Sequence, residues 1–126
     1  MKKYYLILSI ASYIAIMAAL YMAFVYAPTE KTMGDVQRIF YFHVPAAWVS
    51  FLGFAILAVA SGFFLGTGKH KWDKLAFAAA QVGTLFLTLV LITGPLWAKP
   101  VWGVYWTWDA RLTTSFILWL IYIAYL

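Results

Sequence analysis

The chain is 126 residues long, 66% hydrophobic and 21% aromatic, with only 10% charged residues and a mean hydropathy of +0.87. A soluble domain is about half apolar and a quarter charged, so a water-exposed globule is excluded, and a dispersed net charge of +5 gives nucleic-acid binding no support. With no cysteine, disulfides and thiolate metal sites within the chain are excluded as well.

Residues 4–27 form the first apolar run, long enough for the roughly 20 residues that cross a hydrocarbon core. It exceeds the ~7–15 residues of a signal-peptide h-region, and Pro28 falls where cleavage would occur. It therefore reads as a true span.

The segment 28–43 follows. Thr32 with Asp35 resembles a capping box. Met33, Val36, Ile39, Phe40 and His43 then recur at helical spacing, with Asp35, Gln37 and Arg38 on the other side. This predicts a short amphipathic helix lying on the outer membrane surface. Pro45 suits the first turn of the next helix, which leaves His43 at the mouth of the second span. His43 reads either as an interfacial imidazole bonded to a backbone carbonyl or as a metal or haem ligand. A divalent-metal site lacks a carboxylate, cysteine or second histidine at ligand spacing.

The second and third spans, at 44–66 and 75–98, are joined by the tight basic turn "TGKHKWDK". His70 belongs to that turn, a bilayer thickness of ~30 Å from His43, and reads as solvated. Gly62 with Gly66, and Ala79 with Gly83, have the spacing that lets membrane helices approach closely. Lys2, Lys3, Lys69, Lys71 and Lys74 cluster on one side, against Lys31, Arg38, Lys99 and Arg111 on the other. The positive-inside rule then makes the N-terminus cytoplasmic and puts 28–43 and 99–111 on the outer face. Gly94–Pro95 is read as ending the third span, with Pro100 setting the next turn.

The connection "WGVYWTWDARLT", residues 102–113, is the densest feature of the chain. If it is extended, Trp102, Trp106 and Trp108 share one face. If it is helical, Trp102, Trp106 and Asp109 share one and Trp108 turns away. Interfacial belts of amphipathic rings account for Trp48, Trp97 and Trp119, and Trp72 reads the same way in the basic turn. A belt needs no acid and base among its rings, so a flat, apolar, anionic ligand explains the cluster better. Haem stacks on indoles, its propionates suit Arg111, Lys99 or Arg38, and its iron takes an imidazole. A quinone is also flat but needs neither cations nor an iron ligand. Asp109 either caps a helix starting near Leu112, orients Arg111, or meets a partner.

A fourth apolar run, 112–126, rises only ~22 Å as a helix, short of the ~30 Å core. The chain thus reads as the front part of a longer protein. The expected fold is all-α, a polytopic integral membrane helix bundle: a single transmembrane domain over 1–126 with three full spans and the start of a fourth.

The tryptophan-rich stretch is similar to the WWD signature of the haem-handling proteins of cytochrome c biogenesis. Its "DARLT" ending resembles the CcmC branch, the haem exporter protein C family; larger synthetase-type relatives continue with Pro, Glu and Asn after the aspartate. "RIFYFHVPAAW", residues 38–48, is similar to the CcmC segment carrying the first outer-face histidine. The resemblance covers essentially the whole chain in order. It implies a six-span protein of the bacterial inner membrane that holds haem b, non-covalently and transiently, between the WWD segment and two histidines on the outer face. It further implies delivery to the haem chaperone CcmE, alongside the CcmA–CcmB ABC transporter and CcmD. Carried over residue by residue, His43 is the first axial ligand, and Trp102, Gly103, Trp106, Trp108, Asp109 and Arg111 are the WWD positions; the second histidine is expected beyond Leu126. The protein implied is a haem carrier and not an enzyme, and the residues show no catalytic constellation and no polar pathway through the spans. The alternatives are a subunit of a cytochrome c haem lyase or synthetase, and a quinone-interacting or structural membrane subunit.

Overall fold

A computed structural model describes residues 2–126. They form four α-helices: α1 (Lys2–Tyr21), α2 (Phe40–Thr67), α3 (His70–Trp102) and α4 (Ala110–Tyr125). Three helical stretches, Lys3–Tyr26, Asp35–Thr67 and His70–Trp102, are long and apolar enough to cross a membrane, and α4 is a shorter apolar helix. The chain is an all-α membrane bundle, as its hydropathy dictates: in hydrocarbon each backbone N–H and C=O must find a partner within its own segment. It divides into two units, Met1–Arg38 and Ile39–Leu126.

In the first unit, α1 widens into a π-helical turn, Met22–Tyr26, closed by the Ala27 N–H on the Met22 carbonyl at 2.8 Å. Ala27 is then extended (φ −66°, ψ 125°), as the residue before a proline prefers. The loop beyond is built on polar side chains. Glu30 accepts hydrogen bonds from the backbone N–H groups of Met33 and, at 2.7 Å, Thr32. The Met33 bond does most to hold its carboxyl below the ordinary range. Arg38 donates to the Ala23 carbonyl and, at 3.0 Å, to Asp35 Oδ1.

These bonds replace the surface helix expected over residues 33–43. Thr32 caps nothing, Gly34 turns at φ 61°, and a 3₁₀ turn, Asp35–Ile39, leads directly into α2. The apolar periodicity of residues 33–43 is real, but its last residues belong to the first turn of a 28-residue helix. Pro45 does not open the helix as its sequence suggested: α2 starts at Phe40, so Pro45 lies past the first turn and its missing N–H removes a bond to the Tyr41 carbonyl.

In the second unit, α2 and α3 form an antiparallel hairpin. Gly68 (φ 64°) ends α2, its N–H on the Phe64 carbonyl at 2.8 Å, and α3 restarts two residues later. Lipid tails are as apolar as leucine, so membrane helices associate through close packing. Small residues therefore dominate the seam: Ala60 on α2, and Ala76, Ala79 and Ala80 on α3, are buried with Phe54, Leu57 and Leu87. The closest approach is at Gly53, where a Cβ would stand 3.0 Å from Gly83 Cα and 3.1 Å from the Ala79 carbonyl oxygen. Gly62 and Gly66 face open space, so the spacing of Gly62 and Gly66 is not used in this hairpin, whereas that of Ala79 and Gly83 is. α4 packs alongside: Tyr122 stacks on Phe54 (4.0 Å, 6°), and Trp119 Nε1 donates to Thr88 Oγ1 at 2.8 Å. Trp119, expected only as an interfacial ring, is thus an interhelical tie.

The helix α3 does not stop at Gly94–Pro95. It runs through Pro95 and Pro100 to Trp102 and ends at Gly103, whose φ of 80° favours glycine. A proline inside a helix costs one backbone bond but keeps a helical φ. Here Trp97 and Ala98 pack inward between the prolines, and that packing carries the helix on.

Candidate functional site

The N-terminal ends of α2 and α4 and the C-terminal end of α3 border a cavity of about 330 Å³, in the range of small-molecule sites. Of the residues singled out in the sequence, His43, Trp102, Trp106 and Arg111 line it. α2 supplies His43 from its first turn, α3 supplies Trp102 from its last residue, and Arg111 enters from the first turn of α4. Trp106 comes from the irregular connection between α3 and α4. Residues nearly 70 positions apart thus share one wall. Gly103, Trp108 and Asp109 do not line it.

The indoles follow neither a strand nor a helix. Because α3 carries Trp102 and the chain breaks at Gly103, the rings fall into two separate edge-to-face pairs rather than one shared platform. Trp102 stands edge-on to Trp97 (4.9 Å, 83°), and Trp106 to Trp108 (5.7 Å, 74°). Trp108 is 74% exposed. Trp97, expected only as a belt ring, also lines the cavity and packs edge-on to Phe40 (4.9 Å, 79°).

Three cations were candidates for an anionic group, and they have different surroundings. Arg38 is engaged by its own loop. Lys99 donates to the Gly103 carbonyl at 2.9 Å and lies over the Tyr105 ring, capping the end of α3. Arg111 alone of the three lines the cavity, its guanidinium 5.1 Å from the Trp102 ring centre. It also lies 3.7 Å from Asp109 Oδ2, with both side chains largely open to solvent, so that ion pair holds it only loosely.

Asp109 caps α4. Its Oδ1 accepts the Leu112 N–H at 3.0 Å, and its Oδ2 accepts the Thr107 hydroxyl at 2.6 Å. The Thr107 bond, then the Leu112 bond, lower its pKa from the ordinary carboxylate value. A depressed folded-state pKa means the cap contributes fully above the unfolded value and is lost as pH falls through the folded one. Asp109→Ala should therefore lower the protection of the Leu112 amide against hydrogen exchange, relative to its intrinsic rate, at neutral pH, and acidification of the parent should do the same. Exchange that is unchanged in the variant would remove the capping role.

His43 is half-buried, with Nδ1 2.8 Å from Thr93 Oγ1. Neither Thr93 nor Gly94, which also lines the cavity, was identifiable from the sequence. A threonine 50 residues away leaves no local signal. The rest of the lining is almost wholly apolar: Ile39, Phe51, Val90, Leu91, Pro95 and Leu112 among others. The cavity therefore offers a ligand apolar and aromatic walls, one imidazole and one guanidinium.

Comparison with known proteins identifies the family of the chain. A family model described as "Heme exporter protein C" (CcmC) matches residues 1–126. The chain is 44% identical over 100 residues to the heme exporter protein C of Bradyrhizobium diazoefficiens, covering 77% of this chain and 37% of that one. It is 41% identical over 118 residues to the protein of the same name in Escherichia coli K12, covering 92% and 47% respectively. It is also 43% identical over 105 residues to a ccmC-like mitochondrial protein of Marchantia polymorpha, covering 83% and 46%. The chain spans less than half the length of these relatives.

Proposed function

Because the chain belongs to the heme exporter protein C (CcmC) family, we propose that it serves cytochrome c biogenesis by holding haem in the cavity between α2, α3 and α4 and presenting it to an acceptor. One observation carries this reading: His43, Trp102, Trp106 and Arg111 line the same cavity. The cargo is haem b, held without a covalent bond. The indoles supply stacking surface, His43 the iron ligand, and Arg111 a charge-assisted hydrogen bond to a propionate. A quinone is also flat and apolar but requires neither a cation nor an iron ligand.

The acceptor is the chaperone CcmE, with CcmA–CcmB and CcmD as companions, and the cavity faces outward from the inner membrane. The lysines at 69–74 support this orientation, with the opposite end of the hairpin in the cytoplasm. Single cysteines at Lys71 and Val104, labelled from outside in intact cells, test this orientation. Labelling at 104 alone is expected, and labelling at 71 alone would reverse it.

The cavity also makes the three tryptophans unequal. Trp102→Ala and Trp106→Ala should each weaken haem retention by at least the ~0.5–1.5 kcal/mol of a ring contact, with lost area adding to it. Trp108→Ala, outside the cavity, should do less. Arg111→Gln should weaken binding while leaving the iron's axial absorption bands unchanged, and Arg111→Lys should recover only part, because lysine cannot make the bidentate pair. Haem titration of these five variants in the whole membrane protein is the test. Equal losses at Trp106 and Trp108 would move the haem out of the cavity. An Arg111→Gln variant that binds haem normally yet fails to load the chaperone would reassign the charge to docking.

A further inference from the structure

Thr93 sits on α3, where its Oγ1 lies 2.7 Å from the Leu89 carbonyl oxygen and 2.8 Å from His43 Nδ1. Two oxygens at that separation repel unless a proton lies between them, and only the threonine hydroxyl has one to give. The hydroxyl therefore donates to Leu89 and faces the imidazole with lone pairs. Nδ1 must then carry the ring proton and donate to Thr93. A neutral imidazole has one N–H, so Nε2 is left with the free lone pair.

The next residue seats the ring. A Cβ at Gly94 would stand 3.4 Å from His43 Cε1, so the Nδ1–Cε1 edge of the imidazole lies against the wall of α3. A ring gripped along that edge has two of its freedoms removed, rotation about its axis and choice of tautomer. Thr93 and Gly94 are adjacent in sequence, yet both act on a residue of another helix.

We propose that Thr93 is a positioning residue for haem ligation, fixing His43 in the Nδ1–H form so that Nε2 is the atom offered to iron. This rests on the haem reading above. Metal-ligating histidines in general depend on the group that receives their other N–H, and loss of that group typically costs about 10–100-fold in affinity.

The test uses the whole membrane protein with nitrogen-15-labelled histidine. In the haem-free parent, the nitrogen shifts of His43 should report the Nδ1–H tautomer, and in Thr93→Val that preference should be lost. Haem affinity of Thr93→Val should fall about 10–100-fold with changed axial-ligand bands. Thr93→Ser, which keeps the hydroxyl, should restore both. The Nε2–H tautomer in the haem-free parent would overturn the proposal, as would unchanged affinity and bands in Thr93→Val. The haem reading is tested separately by His43→Ala: if that variant loses haem while Thr93→Val does not, only the positioning role falls. If His43→Ala also retains haem, the ligand assignment falls and the positioning role with it.

Discussion

Replacing His43 with alanine is expected to cost more haem affinity than the ~10–100-fold commanded by a ligand's outer partner, and to change the absorption spectrum. His70→Ala should do neither. The reason is position. His43 lies in the first turn of α2 and lines the cavity. His70 opens α3 in the exposed basic turn, tilted against Phe64 at 6.1 Å. With α2 between them, a rise of 1.5 Å per residue separates the two by roughly 40 Å. The experiment is haem reconstitution of both variants followed by absorption spectroscopy. Unchanged occupancy and spectrum in the His43 variant would refute its role as iron ligand. Losses of equal size at both positions would instead indicate a general defect in folding.

The second large effect concerns the frame that carries the site. Gly53→Ala should destabilise the α2–α3 hairpin, whereas Gly62→Ala should leave it unharmed or slightly strengthen it. A Cβ at Gly53 would meet the Gly83 Cα at 3.0 Å and the Ala79 carbonyl at 3.1 Å. Both are backbone atoms and cannot turn aside. Overpacking of this kind costs about 1–3 kcal/mol, more than the ~0.5–1 kcal/mol by which alanine improves on glycine inside a helix. At Gly62 nothing lies within 4 Å, so only the favourable term remains. Thermal melting of the two variants in detergent reads the difference directly. Shifts of the same sign and size in both would mean that the close approach at Gly53 contributes nothing to stability. Because α2 carries His43 and α3 carries Trp102, loosening at Gly53 should also lower haem retention without touching a lining residue.

The helices themselves were legible because a membrane leaves the backbone little choice. Apolar runs of span length must be helical in lipid, and the four runs at 4–27, 44–66, 75–98 and 112–126 correspond to the four observed helices. Boundaries were less legible. Gly94–Pro95 has the local chemistry of a stop, yet α3 passes through it. Likewise, residues 33–43 have the periodicity of a separate helix, but the bonds of Glu30 and Arg38 shape the loop instead.

The site divides along the same line. An aromatic cluster holding an acid and a base, and a histidine at the mouth of a span, are visible as residue types, because side-chain chemistry is written locally. Which of them meet is not written locally. Distance along the chain says nothing about whether His43 faces Trp106, or that Trp108 turns outward while Trp97 turns in. Asp109 could be a cap or a ligand contact by type, and only the 3.0 Å bond to Leu112 N–H shows that it caps α4. Thr93 carried no signal at all, since one hydroxyl in an apolar helix is ordinary until another helix brings an imidazole to it. The spacing of small residues suggested two close contacts of which the hairpin uses only Ala79 with Gly83, and Gly53 went unnoticed. Period and composition determine that a segment is helical and apolar. The rotation and register of one helix against another depend on how whole surfaces interlock, and that is settled only when the helices are packed.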